Sequence, residues 1–180
     1  NYTPKQQRRL NFSYNGSTRN PSLSQIQPII DNIDPLNLTI GNPNLKQSFV
    51  HQFNFGGSDY KVLKSRSVRF NVNYSKTENA ISNSSFVDNQ GRRINQAINV
   101  AGNYSLSGSV GYNFEIIPSF NVGVNIGPRI NQFANRVNGI DNITKNRDTD
   151  ISFNMGYLGD KWINFYAYGS AVYNNSSTSI

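Results

Sequence analysis

Apolar and polar residues alternate one for one along much of the chain, the pattern that puts one set of side chains on each face of a β-strand. The longest case runs from Val100 to Ile116. Val100, Gly102, Tyr104, Leu106, Gly108, Val110, Tyr112, Phe114 and Ile116 share one face, and Ala101, Asn103, Ser105, Ser107, Ser109, Gly111, Asn113 and Glu115 the other. Val68, Phe70, Val72 and Tyr74 alternate with Arg69, Asn71, Asn73 and Ser75, and Phe120, Val122, Val124 and Ile126 with Asn121, Gly123, Asn125 and Gly127. Shorter runs occur at Leu10, Phe12 and Tyr14, at Phe49, His51, Phe53 and Phe55, and at Ile151, Phe153, Met155 and Tyr157. From Ile163 to Tyr173 the register is ambiguous, because Tyr166 and Tyr168 oppose Ile163 and Phe165. The pattern predicts an all-β chain of about seven up-and-down strands.

The connections differ in character. Turns at Pro118-Ser119 and Gly159-Asp160-Lys161 are short, and Gly56 to Ser67 holds a third connection on the same side. Long polar connections are expected over about 15–47, 86–93 (around Asp88-Asn89-Gln90-Gly91) and 136–147. Short turns at one end and long loops at the other are the arrangement of transmembrane β-barrels, with the long loops extracellular. The Val100 to Ile116 row, and Arg66 to Phe86 read as a single strand, exceed the 9–11 residues or so that cross a bilayer.

Alternation also suits a soluble sandwich, whose apolar rows pack on a second sheet. Three features favour lipid. The polar face is Asn, Ser and Gly instead of Lys and Glu, the strands are long, and Tyr14, Tyr112, Phe114, Phe120, Tyr157 and Trp162 sit near strand ends, where membrane interfaces favour aromatic rings. The reading is antiparallel strands of a larger transmembrane β-barrel, with a secreted soluble β-sandwich binding or adhesion module as the alternative. Bacterial closed barrels use even strand numbers, so an odd count predicts a part of a barrel, with open edges that pair with further chain, with copies or with another protein.

Composition narrows the chemistry. A hydrophobic share of 36% is low for a soluble domain, but 12% aromatic residues in ordered positions argue against disorder. The chain has no cysteine, and no apolar run long enough for a membrane helix. A net charge of +7 fits an anionic surface such as lipopolysaccharide; the cations are scattered, which argues against nucleic acid. His51, the one histidine, stands in an aromatic row without a Gly-x-Ser-x-Gly elbow, so no enzyme is expected. Asp31, Asp34, Asp148 and Asp150 lack calcium-loop spacing, and Asp34 is better read as a turn former and the last two as a solvated strand start. Gly123 and Gly127 are read as relieving crowding on the polar face, not as a phosphate loop. No cofactor or metal is expected. Ligand contacts from position alone are Arg69, Asn71, Arg92, Arg93 and Arg129.

Residues 19–47 carry a more specific pattern: Asn20-Pro21-Ser22, Ser24-Gln25-Ile26-Gln27-Pro28, Asp34-Pro35-Leu36-Asn37 and Gly41-Asn42-Pro43-Asn44-Leu45-Lys46. Ser22 is placed to cap a short helix over Leu23 to Ile30, Asp34-Pro35 to start a turn, and Gly41-Asn42-Pro43 to redirect the chain. The segment resembles an extracellular loop of TonB-dependent outer-membrane receptors of the Bacteroidota type, with Gln47-Ser48 where that family commonly has an acidic residue. Thr77-Glu78-Asn79-Ala80-Ile81 and the Asp88 to Gly91 hairpin are similar too. The resemblance implies a barrel of about twenty-two strands in the bacterial outer membrane, an N-terminal plug and energy from TonB to import a scarce nutrient. On that reading residues 1–180 are a partial barrel domain whose signal peptide, plug and TonB contact lie elsewhere. The expected partners are outer-membrane lipid and lipopolysaccharide, the remaining strands and plug, and TonB.

Overall fold

The alternation resolves into one twelve-stranded sheet in the computed structural model, which describes residues 2–5, 7–31, 34–159 and 163–180. The strands are β1 (Tyr2–Lys5), β2 (Arg8–Arg19), β3 (Ile30–Asp31), β4 (Asn37–Ile40), β5 (Ser48–Lys61), β6 (Arg66–Glu78), β7 (Ala80–Val87), β8 (Arg93–Val100), β9 (Asn103–Ile117), β10 (Phe120–Val137), β11 (Ile140–Leu158) and β12 (Asn164–Thr178). One short helix, α1 (Leu23–Ile26), precedes β3. Seven strands, β2, β5, β6, β9, β10, β11 and β12, form an antiparallel up-and-down wall in that order, as the alternation predicts. No strand pairs with the outer edge of β12 among the described residues, and the wall is open.

Register assembles the alternating residues into continuous rows. Across β2, β5, β6 and β9 one row reads Phe12, Phe55, Val72, Gly108 and the next Tyr14, Phe53, Tyr74, Leu106. Across β9, β10 and β11 the same face carries Tyr112, Val124, Phe153 and then Val110, Ile126, Ile151. Val110, Tyr112 and Val124 remain 53%, 37% and 36% exposed, so no second sheet covers them and the sandwich is excluded. On β6 the apolar stretch lies between Arg66 and Lys76; at about 3.4 Å per residue and barrel tilt this spans about 26 Å, the height of a barrel's lipid belt. Aromatic rings border it. Tyr14 packs on Phe53 (centroids 4.9 Å) at the long-connection end, and Tyr112 stacks on Phe114 (5.1 Å) towards the other, where Phe120 and Tyr157 also lie. Trp162 and the centre of the Gly159-Asp160-Lys161 turn fall outside the described residues. The ambiguous last strand pairs Phe165 with Tyr157 and Ala171 with Ile151, which puts Phe165, Ala167, Gly169, Ala171 and Tyr173 on the apolar face and Tyr166 and Tyr168 on the polar one.

Five boundaries differ from the expectation. The long connection expected from about 15 starts at 20, because β2 stays paired with β5 through Arg19. The strand read from Arg66 to Phe86 breaks at Asn79, whose φ of 48° turns the chain so that β7 leaves the wall. The row read from Val100 begins at Asn103, because Gly102 (φ 86°) interrupts the extended backbone. The polar stretch 136–147 is not a loop. Asn138 (φ 49°) and Gly139 (φ 79°) make a two-residue turn with positive φ at both positions, the type whose twist matches a hairpin, and β10 and β11 run paired into it. The connection from Gly56 narrows to 62–65, since β5 runs to Lys61.

At the long-connection end, 20–47 and 79–102 form one ordered cap. α1 is shorter than the predicted helix: Ser22 and Gln25 make a capping box, but Gln27 precedes Pro28 and is held extended (ψ 123°), which stops the helix. Asp34 accepts from the Leu36 amide (2.9 Å) and Asn37 Nδ2 (2.6 Å), and these bonds hold its carboxyl below the ordinary carboxylate range. β4 pairs parallel with β8, β8 antiparallel with β7, and β7 parallel with the end of β10 at Arg136 and Val137. Asn99 joins the two connections: its Oδ1 accepts from the Lys46 amide (2.7 Å), and its Nδ2 donates to the carbonyls of Lys46 (2.9 Å) and Asn79 (2.8 Å). Of the six described residues other than glycine that are under a tenth exposed, Leu38, Ser48, Val50, Ala80 and Ala134 lie in the cap or where it meets the wall, and only Val122 lies deep in the wall. A membrane wall takes its apolar contacts from lipid, so the protein's own dense packing is concentrated here.

Candidate functional site

The polar face is built mainly from Asn, Ser and Gly, which put hydrogen-bonding groups close to the backbone, with longer side chains such as Arg69, Arg129 and Tyr166 between them. Asn54 Nδ2 donates to Ser13 Oγ (3.2 Å) and Ser105 Oγ to Asn131 Oδ1 (2.6 Å), cross-linking neighbouring strands, and Asn73 Nδ2 donates to Asn71 Oδ1 (2.5 Å) along β6. Two glycines make room, as expected of them. A Cβ on Gly123 would collide with the amide oxygens of Asn113 and Asn154, and one on Gly127 would lie 2.7 Å from Asp150 Oδ2.

A shallow cleft of about 230 Å³ opens where β6, β9, β10 and β11 run together, lined among others by Asn71, Asn73, Ser109, Asn125, Arg129 and Asp150. A smaller one of about 160 Å³, with Gln52, Asn54 and Ser75, adjoins it through Asn73 and Ser107. Of the five predicted contacts, Asn71 and Arg129 lie in the larger cleft, and Arg69 is two residues from Asn71 in the same row, between Ser58 and Gly111. Neither Arg69 nor Arg129 has an ion-pair partner among the described residues. The wall thus presents guanidinium groups, amides, hydroxyls and carboxylates, a set of donors and acceptors able to hydrogen-bond polar solutes.

The other predicted contacts sit elsewhere. Arg92 is in the cap, its Nε donating to Asp88 Oδ2 (2.8 Å), and Arg93 opens β8 beside Asn37. Asp148 and Asp150 are not at a strand start: they lie inside β11 on the polar face, opposite Arg129 and Gly127. The cleft residues Asn73, Ser109 and Asn125 were missed; they share the parity of Asn71 and Arg129, a signal usable only once cross-strand register is known. Among the described residues, no three or more metal-ligating side chains converge. His51 lies on the apolar face near the long-connection end, its Nδ1 3.0 Å from the Tyr14 hydroxyl and its ring 4.7 Å from Phe49.

Asp88 gives the cap a pH dependence. Burial pushes its carboxyl up, but bonds from the Arg92 amide and side chain and the Gln90 amide outweigh this and hold it low. A carboxylate held low in the folded state stabilises its turn above the unfolded pKa of about 3.9 and loses that contribution as pH falls through the lower folded value. In the full-length protein the Arg92 Nε–H NMR signal should therefore report the contact at neutral pH and through the ordinary carboxylate range, and lose it only at still lower pH. A signal insensitive to Asp88→Asn, or lost above the ordinary carboxylate range, would contradict this.

The model of the "Outer membrane protein beta-barrel family" matches residues 1–141, which include β1 to β10 and the entire cap. No curated protein and no solved structure matches the chain. With a lipid-height apolar belt, a polar inner wall and this match over most of its length, the chain belongs to the outer membrane protein beta-barrel family and resides in the bacterial outer membrane.

Proposed function

We propose that this chain is part of the barrel wall of a TonB-dependent outer-membrane receptor that imports a scarce nutrient, with the polar face lining the passage and the cap at its extracellular mouth. The observation that carries the reading is the cap. The segment that resembles receptors of this kind, from Asn20 to Lys46, is folded onto the second long connection by specific bonds such as Asn42 Nδ2 to the Ala97 carbonyl (2.9 Å). The role is binding and passage without bond-breaking chemistry, in keeping with a histidine turned to the apolar face beside Tyr14.

The open edge of β12 and most of β2 carry unpaired backbone groups, which hydrocarbon does not tolerate, so further strands complete the barrel on this reading. The test needs no knowledge of the nutrient. The full-length protein in detergent should capture the purified periplasmic domain of TonB from its own organism, and lose it when the segment preceding the barrel is deleted. Failure of the intact protein to bind TonB would reduce the reading to a barrel of another kind.

A further inference from the structure

The apolar face carries cations at both ends. At the short-turn end Arg8 has a counter-ion, Asp59, at 2.8 Å, and Lys61 and Arg66 are cross-strand neighbours beside that pair. At the long-connection end, the row immediately beyond the apolar belt reads Lys76, Tyr104, Gln132, Lys145 and Ser177 across β6, β9, β10, β11 and β12. Arg147 stands two residues from Lys145 on that face, between Ile130 and Asn175. The two carboxylates that share the face there are occupied: Glu78 lies 3.3 Å from Lys76, and Asp141 accepts from Arg136 at 2.7 Å. Asp148 and Asp150 project from β11 on the opposite side of the sheet. Among the described residues, Lys145 and Arg147 have no ion-pair partner.

We propose that Lys145 and Arg147, flanked by Gln132 and Asn175, form an outward-facing site for a phosphate of the lipopolysaccharide that surrounds the barrel. Cations at alternate positions of a strand are about 7 Å apart, close enough for both to reach one phosphate. The hydrocarbon below is met by Ile130, Ile151 and Tyr173, so the site lies where acyl chains give way to phosphorylated sugar. Arg offers two parallel donors to phosphate oxygens and Lys a flexible point charge. The inference rests on the placement of the cap end outside the cell.

The experiment titrates the full-length protein in detergent with bisphosphorylated lipid A, with lipid A stripped of phosphate, and with phosphatidylglycerol, read by native mass spectrometry. Wild type should prefer bisphosphorylated lipid A. K145Q/R147Q should weaken that binding about 30-fold, at roughly fivefold per cation, while R9Q/R19Q, which removes the same charge from the polar face, should not. Binding within about threefold of wild type in K145Q/R147Q would overturn the proposal, as would an equal loss in R9Q/R19Q, which would mean attraction by net charge alone. Equal binding and equal loss with phosphatidylglycerol would reassign the site to anionic lipid in general. TonB capture by the same proteins separates the two readings: its absence removes the receptor reading and leaves the lipid result to stand or fall on these comparisons.

Discussion

Ile126→Arg in the full-length protein is expected to lose about 2–4 kcal/mol of folding stability in phospholipid vesicles, whereas Asn125→Arg, one residue away, should lose less than about 1 kcal/mol. Ile126 is the midpoint of the β10 outward row that runs from Phe120 to Gln132, and its neighbours across the sheet are Val110 and Ile151. At 43% exposed it has no protein partner to rearrange around a guanidinium, and its surroundings are acyl chains too deep for the side chain to reach either interface easily. Asn125 sits between Gly111 and Ser152 on the polar face, where a long charged side chain enters water. The measurement is a urea titration in vesicles, with folded protein scored by its resistance to SDS before heating. Because the residues are adjacent in one strand, propensity and ladder position nearly cancel in the comparison and only the medium on each side remains. Equal midpoints for the two variants would mean that the greasy rows do not touch lipid.

The wall was readable because a membrane barrel imposes the same two-residue period on every strand that crosses the belt. Where the strands leave the belt, both faces are wet and the period loses its meaning. Residues 136–147 therefore read as a polar loop, although Asn138-Gly139 was present as a hairpin turn and both strands stay paired through it. The break at Asn79 was hidden because extended chain resumes at once at Ala80, and only the left-handed backbone reveals that β7 has changed partners. Site residues divide in the same way. Arg69, Asn71 and Arg129 share the polar face because parity is local information, but that Asn71 and Arg129 line one cleft depends on the β6, β9 and β10 registers, which no local signal reports. Arg92 and Arg93 were grouped with them on charge alone, and the Asp88 turn holds them in the cap.

Gly41→Ala is expected to loosen the cap and leave the wall intact. Gly41 is buried, and a Cβ there would fall within the envelope of the Gln27 carbonyl oxygen and 2.6 Å from its carbon. Both atoms are backbone, so no rotamer relieves the clash, and α1 must move away from the turn that leads out of β4. That movement pulls on the Asn42 amide, which donates to the Gln25 carbonyl (2.7 Å), and on Asn42 Nδ2, which holds the Ala97 carbonyl of β8. Overpacking of this kind costs about 1–3 kcal/mol, equivalent to a fall of about 5- to 150-fold in the protection of the Asn42 amide from hydrogen exchange. Amides of Val110 and Val124 should be unaffected, since their bonds lie in the antiparallel ladder between β6 and β11 and share no partner with the cap. If Asn42 keeps its protection, α1 is not seated against Gly41. If Val110 and Val124 lose theirs as well, the cap is not a separable unit but part of what holds the wall together, and a mouth that opens without disturbing the barrel is ruled out.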